Sequence, residues 1–179
     1  MLKEIQTRKS TRSFADRPVS DEQVLDLLEA ARLAPSGSNT QPWQFIVARS
    51  EEARGKICAA NHHQQWMMQA PVHIACVADI RSRVPVEVPI TVDENSPQEE
   101  LKQIIRDTAI AAEHIVLEAE ALGLASCWTA WYTQSDMREA LGVPADKYVV
   151  GVIVVGYPDK PAGSPKKRGL DTMIHYEQW

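Results

Sequence analysis

"APSGSNTQPWQF" (residues 34–45) is the point where a helix must end and a strand must begin. Pro35 cannot continue a helix, and the Ser, Gly, Asn and Thr that follow are turn formers. "WQFIVA" (43–48) then supplies the aromatic and β-branched residues of a strand. Upstream, "SDEQVLDLLEAARLAPS" (20–36) predicts the helix itself. Ser20 can cap its N-terminus with Gln23 completing a capping box, and Val24, Leu27, Leu28 and Ala31 mark one apolar face. A chain that passes from helix to strand through so short a polar turn belongs to a mixed class, α+β or α/β. The turn also gathers Ser36, Ser38, Asn39 and Gln41, which can all donate and accept hydrogen bonds. It reads either as an ordinary connection or as a set of groups suited to a flat heterocycle with polar edges.

The same mixture runs along the rest of the chain. Residues 51–70 read as an irregular helix, "VHIACVA" (72–78) as a buried strand, and residues 80–97, with Pro85, Pro89 and Pro97, as a long loop of the kind that serves as a lid or binding segment. Residues 98–122 predict a helix ending at Gly123. Ile105, Ala112, Ile115, Ala119 and Leu122 share one side of it, while Ile110, Leu117 and Ala121 lie roughly 120–140° away. A helix apolar on two sides is expected to be covered on both, by the core or by a second subunit. "ASCWTAWY" (125–132) and "YVVGVIVVG" (148–156) predict two further strands, with a short capped helix over 135–142 between them. There is no repeat and no linker, so residues 1–179 are expected to form a single domain.

Bulk composition narrows the function. Of the 179 residues 44% are apolar and 24% charged, the balance of a globular protein, and the net charge is −5. With a pI near 5.5 the chain lacks the basic surplus of a nucleic-acid binder. No run approaches the ~18 apolar residues of a membrane span, and the N-terminus has no apolar signal core. Cys58, Cys76 and Cys127 are odd in number and far apart, which fits neither a disulfide framework nor a metal site and agrees with a cytoplasmic setting.

Against that acidic background, "RKSTRSFADRPV" (8–19) places Arg8, Lys9, Arg12 and Arg17 close together, and Lys160, Lys166, Lys167 and Arg168 form a second basic cluster. The two are either solvated faces or the two halves of a phosphate clamp, with Ser10 adding a hydroxyl. Neither a GxxxxGK[ST] loop nor GxGxxG is present, and "GVIVVG" has the wrong spacing inside a strand, so side chains would have to hold any phosphate. His62-His63 has no further ligand at metal spacing, Cys127 sits in an apolar stretch, and no catalytic triad is visible.

Four stretches, taken in order, resemble the nitroreductase family over nearly the whole chain. "RKSTRSF" looks like its Arg-x-Ser-x-Arg opening and "APSGSNTQPWQF" like its Pro-Ser-x-x-Asn-x-Gln-Pro-Trp loop. "ALGLASCWTAW" is similar to its Gly-Leu-x-Ser-x-Trp segment, and "VGYP" with "SPKKR" to its closing strand and basic tail. The resemblance implies an α+β fold with a mixed central sheet flanked by helices, an intertwined homodimer with active sites at the interface, and FMN as cofactor. It implies that Arg8, Lys9, Ser10, Lys166 and Arg168 hold the FMN phosphate and that Arg12 reaches the pyrimidine end of the ring. Pro35, Ser36 and Asn39 would approach from the other subunit, with Thr129 and Ala130 at the ring edge.

The activity implied is hydride transfer from NADH or NADPH to nitroaromatics, quinones or similar small acceptors. A metabolite-specific dehydrogenase and a non-catalytic flavin binder are the alternatives. The chain departs from larger members in carrying Ala130-Trp131 where they often have Glu-Gly.

Overall fold

The computed structural model describes residues 1–164 and 166–179. Its elements run α1 (Lys3–Thr7), α2 (Asp21–Arg32), β1 (Trp43–Ala48), α3 (Glu51–Ala60), β2 (Val72–Asp79), α4 (Glu99–Ala121), β3 (Ala125–Thr129), α5 (Gln134–Leu141) and β4 (Lys147–Gly156). Local chemistry sets the helix starts. Ser20 and Gln23 form the reciprocal capping box at α2, each bond 3.1 Å long. Ser50 caps α3 through the Ala53 amide and Thr133 caps α5 through that of Asp136. Gly142, at φ 67°, closes α5 in the left-handed conformation that glycine adopts without penalty.

The four strands lie in the order β1-β2-β4-β3, and every neighbouring pair is antiparallel. The sheet is thus not the mixed one expected. The connections through α3 and α5 each return the chain beside the strand it left and antiparallel to it. α4 instead carries the chain past one strand position, from β2 to β3. The parallel element is reduced to a single bridge between Ser10 and Ser126.

The sheet is covered on both faces, so β2 is buried along nearly its whole length rather than alternating. Val72, Ile74, Cys76, Ile153 and Val155 pack with Val24, Leu27 and Ala31 of α2 and with Ala111, Ala112, Ile115 and Ala119 of α4. On the opposite face Ala75, Val77, Val152 and Val154 pack with Ile57 of α3 and Met137 of α5. A third cluster joins Ala78, Ile80 and Val92 to Leu101 and Ile104 at the start of α4.

Two segments bear on the functional expectations. The 80–97 segment is fastened rather than free. Val92 is fully buried, Arg81 pairs with Asp146 at 2.7 Å, and the Glu94 carboxylate accepts the Gln134 amide at 2.5 Å. Its middle, residues 85–89 with Val86 and Val88, stands out into solvent as one exposed run. Within one chain α4 is covered on the side that packs on the sheet and α2. Its second apolar side, with Ile110 exposed, opens onto a shallow groove shared with Leu2, Leu33 and Leu117.

Candidate functional site

The N-terminal arm is laid along the sheet edge by backbone pairing. The Thr11 amide donates to the Ser126 carbonyl at 2.9 Å, Phe14 bridges Pro158, and the Asp159 amide donates to the Ser13 carbonyl at 3.1 Å. These bonds fix the Arg8–Arg12 run beside the start of β3 and bring the C-terminal tail back over it. A cleft of about 660 Å³ opens between the two, walled by Arg8, Lys9, Ser10 and Arg12 on one side and by Gly163, Ser164 and Lys167 on the other. The two basic segments therefore meet.

From the tail it is Lys167 that lines the cleft; Lys166 and Arg168 are exposed outside its lining. Four cations converge here in a chain of net charge −5, an arrangement that repels itself until an anion enters. The Arg8 Nε is buried and has no hydrogen-bond partner among the described residues. An unmatched buried guanidinium donor is costly, and a phosphate oxygen is the group that would satisfy it. The donor set fits FMN's phosphate.

A line of contacts leads from this cleft across the protein surface. The Arg12 guanidinium lies over the Trp66 ring, 5.6 Å from its centroid. Trp66 Nε1 donates to Gln64 Oε1 at 3.1 Å, and Gln64 Nε2 reaches the Thr129 hydroxyl at 3.4 Å. That hydroxyl donates to Asn61 Oδ1 at 2.9 Å, and Asn61 is itself held to the end of α3 through the Ile57 carbonyl. Thr129 is buried and Ala130 exposed, so the end of β3 presents backbone rather than a large side chain.

Sequence reading placed Arg12, Thr129 and Ala130 in this region but missed Asn61, Gln64 and Trp66. The signal was available in part: "NHHQQW" interrupts the helical period with polar and aromatic residues.

Pro35, Ser36 and Asn39 lie elsewhere. Their turn is strained, with Ser38, Asn39 and Gln41 all at positive φ between 48° and 54°. The Ser36 hydroxyl accepts the Gln41 amide at 2.9 Å. Gly37 is gripped at both polar groups, its amide donating to Asp107 Oδ2 at 3.2 Å and its carbonyl accepting from Arg83 Nη2 at 3.0 Å. Asp107 stands about 20 Å along α4 from Glu120, which borders the recess beside Lys9. A single chain thus keeps the two halves of the expected site apart.

A Cβ on Gly37 would come 2.7 Å from Arg83 Nη2. Gly37→Ala is therefore expected to dislodge the guanidinium at a cost of about 1 kcal/mol, a fall of about 3 °C in unfolding midpoint. Hydrogen exchange should show the 36–41 amides opening about fivefold faster; unchanged exchange there would mean that the arginine does not hold the turn.

The thiols take no part in the site. All three cysteines are free and buried. Burial raises each of their pKa values, that of Cys76 to about 12, so they remain protonated at neutral pH. Burial likewise raises the Tyr132 phenol, whose hydroxyl donates to the Val149 carbonyl. Among the described residues no group of three His, Cys, Asp or Glu could hold a metal ion, and no helix is long and apolar enough to cross a membrane.

Comparison with known proteins assigns the family. The model of the nitroreductase family matches residues 5–157. A protein of Archaeoglobus fulgidus, provisionally named an NADH dehydrogenase/NAD(P)H nitroreductase, is 35% identical over 99% of this chain and 98% of its own length. The FMN reductase [NAD(P)H] of Bacillus subtilis is 28% identical over 93% of this chain and 69% of its own. Among solved structures, an FMN-dependent nitroreductase of Clostridium difficile superposes with a TM-score of 0.80 at 27% identity, covering all of both chains. With its family model spanning most of the sequence and a relative above 30% identity along its whole length, the chain belongs to the nitroreductase family.

Proposed function

We propose that this protein is an FMN-dependent NAD(P)H oxidoreductase that passes two electrons to nitroaromatics, quinones or similar small acceptors in a ping-pong cycle. We further propose that residues 1–179 act as one cytoplasmic domain within a homodimer. The observation that carries the reading is the buried, unpartnered Arg8 Nε in a cleft where two basic segments converge. Bound FMN would supply the hydride chemistry, so the reading asks the protein for neither a nucleophile nor an acid–base pair.

The protein's own contribution is to bind and orient. Arg8, Lys9, Ser10 and Lys167 hold the phosphate, with Lys166 and Arg168 adding positive potential at the mouth. Arg12, braced on Trp66, places a cation at the pyrimidine end, where negative charge is stabilised by a fixed donor. Gln64, Thr129 and the Ala130 backbone line the ring edge. Pro35, Ser36 and Asn39 reach across from a second copy of the chain, docked on the uncovered side of α4. Their distance from Arg8 within one chain supports that arrangement, as do the exposed Leu25, Leu33 and Ile110.

The visible absorption spectrum tests the reading. Purified protein should be yellow and release about one FMN per chain on heating, and NADH or NADPH should bleach it. A colourless protein that takes up no added FMN would overturn it. Arg8→Ala should weaken FMN binding about 10- to 100-fold, as expected for a lost charge-assisted hydrogen bond, while riboflavin, which lacks the phosphate, binds both forms alike. Equal losses for both ligands would place Arg8 away from the phosphate.

A further inference from the structure

Beyond the end of the contact line from Arg12 to Thr129 lies an aromatic pair to which no role has been given so far. The His62 and Trp131 rings stack with centroids 4.3 Å apart and a tilt of 33°. One hydrogen bond ties their segments together, because Thr129 donates to Asn61 and the pair lies one and two residues further along. His62 and His63 both sit at positive φ, 56° and 55°, a conformation that costs about 1 kcal/mol or more per non-glycine residue. Trp131 remains 63% exposed, so one indole surface rests on the imidazole while much of the rest faces solvent beside Ala130. A strained backbone that holds a large aromatic surface open, next to the expected ring edge, is what a planar ligand would need.

The charge of the neighbouring groove indicates which planar ligand. His62 and His63 border a groove of about 500 Å³ with Lys56, Asp136 and Glu139. Lys56 is already paired with Glu52 at 2.6 Å, whereas Asp136 and Glu139 have no ion-pair partner among the described residues. The groove is therefore negative, and it disfavours both the diphosphate of a nicotinamide dinucleotide and an anionic acceptor. We propose that His62 and Trp131 form the wall that selects the electron acceptor, favouring uncharged planar aromatic compounds over anionic ones. This rests on the oxidoreductase reading given above.

The test uses the oxidised holoenzyme without electron donor, titrated by calorimetry with 4-nitrobenzamide and with 4-nitrobenzoate. Wild type should bind the amide more tightly than the carboxylate. Trp131→Ala should raise the Kd for 4-nitrobenzamide about 3- to 10-fold, the range for loss of one aromatic stack, and Trp131→Phe should recover most of it. In turnover the same change should appear in KM for the amide rather than in kcat. Asp136→Asn with Glu139→Gln should narrow the difference between the two probes.

A yellow wild type whose Trp131→Ala variant binds both probes unchanged would overturn the wall. So would a loss falling on the KM for NADH instead, because the pair would then serve the donor. A colourless wild type would overturn the oxidoreductase reading and the wall with it, an outcome visible in the spectrum before any titration.

Discussion

Lowering the pH from 6.5 to 4 at fixed protein concentration is expected to remove about 3 kcal/mol of folding stability through one side chain, His73. His73 is fully buried on β2, and its Nε2 donates to the Met67 carbonyl at 2.9 Å, which leaves Nδ1 without a partner among the described residues. Burial, with a smaller contribution from the Arg54 charge, lowers its pKa from 6.5 to about 4. In that window the unfolded chain binds a proton that the folded one refuses. Stability therefore rises with pH between 4 and 6.5 and is insensitive to this group above it. The carboxylate of Asp146, held low by Arg81, acts in a separate window: its contribution is lost only as the pH falls below its ordinary value of 3.8. Urea unfolding at half-unit steps from pH 7.5 to 4.5 checks the slope. His73→Gln, which keeps a donor for Met67, should flatten it, and a wild type already flat over that range would show that His73 titrates normally.

The second large effect is expected at Gly151. A bulge in β4 sets Cys76 opposite Gly151 but Val77 opposite Val149, and the Trp128 indole of β3 lies across the glycine. A Cβ there would meet Trp128 Nε1 at 2.2 Å and Cε2 at 2.7 Å. Gly151→Ala must displace a packed indole or the strand itself, at about 3 kcal/mol, the upper end for overpacking. The unfolding midpoint should fall by about 6–12 °C. Adding Trp128→Leu to Gly151→Ala should restore part of the loss, so that the two changes are strongly non-additive. A cost below about 1 kcal/mol for the single variant would mean that the indole swings aside freely.

Gly151 also shows where sequence reading ran out. The strand was legible from its run of valines, but the reason for a glycine within it is a tryptophan on the adjacent strand, and only the pairing register reveals that. Signals confined to a few neighbouring residues read well: the Ser20 capping box, the stop at Pro35 and the extent of α4. Signals that join distant segments did not. The basic clusters were visible, yet that Lys167 rather than Lys166 or Arg168 lines the cleft depends on how the tail turns over the N-terminal arm. Asn61, Gln64 and Trp66 were hidden because their partners, Thr129 and Arg12, lie far along the chain. The 80–97 segment read only as a long loop, because its prolines break any helical period. Its anchors, Val92 in the core and Arg81 on Asp146, are tertiary.

The backbone bridges that tie residues 10–15 to Ser126, Tyr157 and Pro158 have a consequence for the order of events during synthesis. The walls of the anion cleft, one with Arg8 and Arg12 and the other with Gly163 and Lys167, stand far apart in the sequence, with all four strands between them. Contacts of such sequence separation form late, after the loop-closure entropy of almost the whole chain has been spent. The nascent polypeptide can thus build its helices and most of its sheet, but the cleft is not complete until residues 163–167 have emerged. In this architecture the anion cleft is a late product of folding, completed only after the sheet that separates its two walls in sequence has formed.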